Sequence, residues 1–354
     1  MQTSVKSKRP RTREIGIQIG HLPTGEYNGI IDVPGVKVGH VTLVSGEGKL
    51  KPGKGPIRTG VTAILPPGGN IFREKVTGTA HIINAFGKSL GLPQLMELGV
   101  LETPILLTNT LNVWTVADAL VDYVSAQNPD VYSFNPIVGE CNDSFLNDIL
   151  GRHVQREHVF EALESASETN IEEGVVGAGT GMSGFGWKAG IGTASRVVKI
   201  GETEYTIGVL VLTNTGAASD LRIDGFPIGR KLTPVEVSDK PLGSIMIIIA
   251  TDAPFSHRQL TRVAKRAAFG LARTGAIASH GSGDFVVAFS TNRSDASLDE
   301  GGITVFFRAV IEATEESIIN SLLKAHTVVG RDGNVRHGIP IRRVIEILEL
   351  NPPV

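Results

Sequence analysis

Three positions in this 354-residue chain set a polar, hydrogen-bonding side chain at the end of an apolar run. Asn214 follows Val209–Thr213, Ser244 opens Ser244–Ala250, and Ser282–Gly283–Asp284 stands just before Phe285. A rigid buried strand places such a group accurately, which is what catalysis requires. Taken singly none is specific, because a serine that begins a strand is ordinarily a turn residue. Ser244 has more in its favour, because Gly243 precedes it. A glycine carbonyl has no Cβ to obstruct attack, and its backbone can hold a strained conformation. The serine hydroxyl could add to that carbonyl, turn the amide into an ester, and let water release a new N-terminus. The freed α-amine would titrate near about 7.7–8.0, low enough to accept a proton at neutral pH. One residue then supplies nucleophile and base, and no histidine is required.

The elements that must position these groups follow from periodicity. Residues 28–44 and 58–66 are rich in Val, Ile and Thr and read as strands, with a Gly/Lys/Pro loop over 46–56 between them. Residues 104–108 read as a short buried strand. Helices follow over about 114–125 and 156–165. The glycine-rich stretch 173–186 excludes a regular helix, and strands are expected over 189–199 and 205–213. Residues 220–243 mix Pro227, Pro234 and Pro241 with charge and read as an exposed connector. The run from Ile245 to Ile249 is apolar at every position, which means a strand covered on both faces. Ser256 and Gln259 form a capping box that opens a helix to about Thr274, with Leu260, Val263, Ala267 and Leu271 inward and Gly275 just past its end. A strand over 285–289 and a helix over 304–325, with Phe307, Ile311, Ile318 and Leu322 inward, precede a last helix over 339–349. Buried strands alternating with amphipathic helices imply sheets inside and helices outside.

Composition narrows the partners. Apolar residues make up 41% and charged residues 20%, as in a soluble globular protein, and 42 glycines point to many tight turns and close backbone approaches. A net charge of −2 gives no field that favours nucleic acid or acidic membranes. The lone Cys141 excludes an intramolecular disulfide and suits a reducing compartment. No apolar run reaches the roughly 18 residues of a membrane span. Lys6, Lys8, Arg9, Arg11 and Arg13 are followed by no apolar core of a signal peptide, so the expectation is a cytoplasmic protein whose N-terminal arm is solvated.

Other signals are set aside. Gly177–Gly181 lacks the spacing of a dinucleotide loop and reads better as close-packed backbone lining the site. The nine histidines form no metal-binding pattern, so neither metal nor cofactor is expected. His280 and Ser282 lie too close in sequence for a Ser–His–Asp arrangement, and no G-x-S-x-G elbow is present. Cys141 reads as a packed thiol. Arg258, Arg262, Lys265, Arg266 and Arg273 read as a solvated helix face.

The chain carries, in order, DVPGVKVGH at 32–40, RTGVTAILP at 58–66, FGKSLGLPQ at 86–94 and GAGTGM at 177–182. Gly243–Ser244, ATDAP at 250–254 and HGSGD at 280–284 follow. By these segments the chain resembles, across nearly its whole length, the L-aminopeptidase/D-alanyl-esterase-amidase (DmpA-type) family, which includes the β-peptidyl aminopeptidases. The resemblance implies a four-layer αββα sandwich related to the ornithine acetyltransferases. It also implies a single-domain precursor over 1–354, cut at Gly243–Ser244 into an α chain, 1–243, and a β chain, 244–354. Ser244 would be the nucleophile, Ser282 and Asp284 would orient it, and Asn214 would supply the oxyanion hole. Glu140 would bind the ammonium of the substrate. Some members carry an aromatic hydroxyl near the position of Asn142, so substrate preference is what that difference touches. The implied assembly is a homotetramer of αβ units.

The expected activity is release of N-terminal residues from short peptides, amides or esters through an acyl-enzyme on Ser244. Two alternatives stand beside it. An acyltransferase of the ornithine acetyltransferase type would pass the same acyl group to an amine, and a non-catalytic binding protein would have no need of the Gly243–Ser244 junction.

Overall fold

The computed structural model describes residues 9–232, 234, 243–294 and 297–350. Its first strands are β1 (Lys37–Ser45), β2 (Ile57–Leu65) and β3 (Val76–Ala85), followed by α1 (Leu92–Leu98), β4 (Val100–Leu101) and β5 (Ile105–Asn109). Next come α2 (Val113–Gln127), β6 (Ile137–Cys141), α3 (Arg156–Glu164) and the short pair β7 (Ser183–Gly184) and β8 (Trp187–Lys188). The hairpin β9 (Ile191–Ile200) and β10 (Thr203–Asn214) leads to β11 (Ser244–Thr251), α4 (His257–Ala264) and α5 (Ala267–Arg273). The chain finishes with β12 (Gly283–Ser290), α6 (Ile303–Leu323), the short pair β13 (Val328–Val329) and β14 (Val335–Arg336), and α7 (Ile341–Glu349).

Two sheets form the centre, one of six strands in the order β4-β3-β12-β11-β10-β9 and one of four in the order β1-β2-β5-β6. Neighbours are antiparallel except β11–β12 and β5–β6. Side-chain alternation explains the layers. Along β11, Ile245, Ile247 and Ile249 join the core beneath α4, α5, α6 and α7, whereas Met246, Ile248 and Ala250 join the core shared with the smaller sheet. On the smaller sheet, Ile105 and Leu107 face that shared core while Leu106 packs under α2 and α3. The result is the expected αββα stack. Fully burying one such aliphatic side chain contributes about 1.5–3 kcal/mol, so β11, buried at every residue, anchors the stack.

Several expectations need correction. The strand expected over 28–44 begins only at Lys37, because Ile30–Asp32 is a single 3₁₀ turn. The helix opened by the Ser256–Gln259 box stops at Ala264, where Arg266 N–H reaches back to Val263 O, and restarts at Ala267. On α6, Phe306 and Val310 are buried where Phe307 and Ile311 were expected. The helix is covered on several sides, so no single stripe describes it. Phe307 lies instead under the guanidinium of Arg266, 3.9 Å from its ring centroid. The connector expected over 220–243 is not wholly exposed: Leu221, Ile223, Ile228 and Leu232 enter the core, while 233 and 235–242 lie outside the described residues.

The basic arm is docked from Arg9 onward, and Lys6 and Lys8 lie outside the described residues. Arg9 donates to the carbonyls of Leu323 and Ile339, and Arg11 pairs with Glu173 at 2.8 Å. Arg13 joins Glu316 at 3.0 Å, and Glu316 also receives the fully buried Arg196 at 2.7 Å. Arg196 reaches Glu312 at 3.1 Å as well. Acceptors on α6 and in the segments before β7 and α7 thus take up charge that reads as solvated in the sequence.

Candidate active site

Register brings the candidate residues to one end of the two sheets. Asn214, the last residue of β10, pairs with Ser244, the first of β11, and Ser244 pairs with Gly283, the first of β12. Gly283 in turn faces Ala85 at the end of β3. In the smaller sheet the ends of β5 and β6 lie alongside, with Thr108 opposite Glu140. A cavity of about 320 Å³ opens there, and Ser244, Gly243, Asn214, Glu140 and Asn142 line it.

The Ser244 hydroxyl lies 2.8 Å from the Gly243 carbonyl oxygen, to which it donates, and Gly283 N–H donates to Ser244 Oγ at 3.3 Å. A Cβ on residue 243 would come within 2.9 Å of Thr215 Cα, so only glycine lets the chain pass there. The amide of Asn214 is fixed at both ends. Ser183 N–H donates to its Oδ1 at 2.9 Å, and its Nδ2 donates to the Asn142 carbonyl at 3.1 Å. Asn142 therefore meets Asn214 through its backbone, while its side chain accepts Ser144 N–H at 2.9 Å.

Ser282 donates to Asp284 Oδ1 at 2.6 Å, and both side chains are buried. The second oxygen of Asp284 is buried without a partner, and burial raises its pKa above the ordinary carboxylate value, against the opposing hydrogen bond from Ser282. Asn84 holds the preceding turn by donating to the Ser279 carbonyl at 3.0 Å. His280 takes no part in this pair and stands 6.4 Å from Phe86, centroid to centroid, so no Ser–His–Asp arrangement forms.

Glu140 is only 3% exposed, yet it forms no ion pair among the described residues. Lys88 N–H donates to its Oε1 at 3.0 Å and the Thr110 hydroxyl donates to its Oε2. A buried carboxylate with two neutral donors and room beside it is suited to a cationic ligand.

Some of the surroundings are invisible in the sequence. The ammonium of Lys188, fully buried, donates to the carbonyls of Gly179 at 3.0 Å and Met182 at 2.8 Å, which braces the segment leading to Ser183. Its burial pulls its pKa down to about 7, and burial pushes that of Asp143 up to about 7. Thr110, Ser183, Lys88 and Arg336 carry no local signal, because each is brought in by long-range packing. Gly177–Gly181 is close-packed as expected, its Gly177 carbonyl lying against Gly60, but it does not line the cavity. His40 is a half-buried partner of Thr62 at 2.9 Å, and Cys141 is a packed thiol. No cluster of three or more His, Cys, Asp or Glu residues suited to a metal occurs among the described residues. No helix among them is long and apolar enough to cross a membrane.

The αββα layering and the serine at the head of a buried strand define a hydrolase with the architecture of the N-terminal-nucleophile enzymes. The chain belongs to peptidase family S58, whose sequence profile matches residues 28–336. It is 40% identical to the beta-peptidyl aminopeptidase BapA of Sphingosinicella microcystinivorans, across 98% of this chain and 93% of the relative. Among solved structures, the PH0078 protein of Pyrococcus horikoshii OT3 superposes with a TM-score of 0.92 at 52% identity, covering 97% of this chain and all of that one. The L-aminopeptidase D-Ala-esterase/amidase of Ochrobactrum anthropi, described as a prototype for the serine aminopeptidases and a variant of the Ntn hydrolase fold, superposes with a TM-score of 0.88 at 31% identity. That match covers 97% of this chain and 99% of the other. The chain is an aminopeptidase that acts on peptides.

Proposed function

We propose that this aminopeptidase is made as a precursor, severs its own Gly243–Ser244 bond into an α chain, 1–243, and a β chain, 244–354, and then removes N-terminal residues from short peptides, amides or esters. The observation that carries the reading is the Ser244 hydroxyl beside the Gly243 carbonyl, on the wall of a cavity that also holds Glu140, which forms no ion pair among the described residues. In the first reaction the Ser244 Oγ–C bond forms as the Gly243 C–N bond breaks, and the hydroxyl proton passes to the departing nitrogen. Water then hydrolyses the ester, giving the Gly243 carboxylate and a free Ser244.

In turnover the Ser244 α-amine takes the hydroxyl proton while Oγ attacks the substrate carbonyl. The Asn214 amide stabilises the oxyanion, a contribution of roughly 3–4 kcal/mol for such a donor. The amine returns the proton to the leaving group, and water resolves the acyl-enzyme. Ser282, held by Asp284, steadies the strand start beside Ser244. Glu140 takes the substrate ammonium, which confines the enzyme to free N-termini, and Asn142 shapes the adjoining wall. A homotetramer of αβ units and a cytoplasmic site of action complete the reading.

Mass spectrometry of the purified protein tests it. Active material is expected to contain two polypeptides, one beginning at Ser244, and Ser244→Ala is expected to give one inactive, uncut chain. A single intact species with full activity overturns self-cleavage.

A further inference from the structure

The cavity holds a second unpaired charge, and it is positive. Arg336, on β14, lines the same space as Ser244 and Glu140. Its guanidinium is half-buried, donates from Nε to the Ser183 hydroxyl at 3.2 Å, and lies 3.7 Å from the centroid of the Phe145 ring. It forms no ion pair among the described residues, and Glu140 is the only carboxylate among the residues that line the cavity. Burial lowers its pKa, with no nearby acid opposing the shift. A cation that gives up water without a counter-ion costs free energy unless a ligand supplies the charge.

Its location says which part of a substrate it meets. Ser183, whose hydroxyl accepts from Arg336, sends its own N–H to Asn214 Oδ1 at 2.9 Å. Arg336 is thus fixed relative to the oxyanion amide. Glu140 is held from elsewhere, by Lys88 N–H and Thr110, in the segments that follow β3 and β5. The other cation on the wall, Lys88, is exposed, stands over Phe86, and belongs by its backbone to the Glu140 side.

We infer that Arg336 is a specificity-determining residue that binds the free C-terminal carboxylate of the leaving amino acid, so that the preferred substrates are zwitterionic dipeptides. This rests on the reading of Ser244 as the attacking group. The ammonium sits on Glu140, the scissile carbonyl between Ser244 and Asn214, and the carboxylate on the fork of Arg336. A planar guanidinium, already oriented by a ring and a hydroxyl, accepts a carboxylate through two parallel hydrogen bonds with little further ordering.

The test compares a dipeptide with the same dipeptide carrying a C-terminal amide, which are cleaved at an identical bond. For the parent enzyme kcat/KM is expected to favour the free acid by about 10–100-fold, mainly through KM. Arg336→Met is expected to bring the ratio close to 1, and Arg336→Lys to retain part of the preference. A ratio near 1 in the parent overturns the inference without recourse to any variant. So does a preference that survives in folded Arg336→Met, or a loss that falls equally on both substrates, as a purely structural role would give. Failure of the parent to cleave either substrate would instead count against the aminopeptidase reading itself.

Discussion

One missing carbon atom at residue 243 and one buried carboxylate at residue 140 show what single positions contribute. At Gly243 a side chain would collide with the backbone of Thr215, so the carbonyl that Ser244 faces keeps its place only while residue 243 has no Cβ. At Glu140 the carboxylate is buried against two neutral donors, with no cationic partner among the described residues. Glu140→Gln retains the shape and removes the charge. It is expected to lower kcat/KM for substrates with a free amine by about 10–100-fold, seen mostly as a higher KM. Steady-state kinetics on one peptide substrate checks this, and an unchanged KM would remove Glu140 from the ammonium site. The candidate nucleophile and its neighbours were legible because each stands where an apolar run begins or ends. Glu140 and Asn142 emerged only through family resemblance, since neither lies in a pattern that marks a site. Arg336, Ser183 and Thr110 were not legible at all, because cavities are closed by segments that meet through packing rather than along the chain.

At the scale of elements, residues 245–249 were read correctly because a strand covered on both faces leaves no polar alternation in its sequence. Helix α6 was read correctly at Ile318 and Leu322, which are buried, but one residue out of phase at Phe307 and Ile311. Its periodicity is blurred by Glu312, Glu316 and Asn320, which are buried against Arg196, Arg13 and the N-terminal segment. The same contacts explain why the basic arm was misread. A run of arginines is ordinarily solvated, but here buried acids and free carbonyls await it. Arg196 is the most exposed to test, being fully buried between Glu312 and Glu316. Arg196→Met would leave buried carboxylate without its main counter-charge, and a loss of about 3–5 kcal/mol in unfolding free energy is expected. Denaturant titration measures it, and a change below about 1 kcal/mol would show that Arg13 alone suffices.

At the scale of the whole molecule, the layers were legible from which strands must be covered twice, whereas the order of strands was not. That order has a consequence for the proposed cleavage. The strands β11 and β12 follow residue 243, yet they lie between β10 on one side and β3 on the other, both from before it. Severing the chain there leaves a shorter polypeptide threaded through the middle of the longer one, like a tenon in a mortise. Nothing would detach, but after unfolding the two pieces would have to find each other in solution and insert a central pair of strands. Uncut Ser244→Ala protein is expected to regain its fold after dilution from denaturant, in a yield independent of concentration. The processed enzyme should recover poorly, with a yield that depends on concentration, as circular dichroism and residual activity would record. Equal recovery would mean that the severed halves still carry enough information to rebuild the sheet. Otherwise the proposed maturation would be a step that the protein takes once, its lifetime thereafter set by how slowly it comes apart.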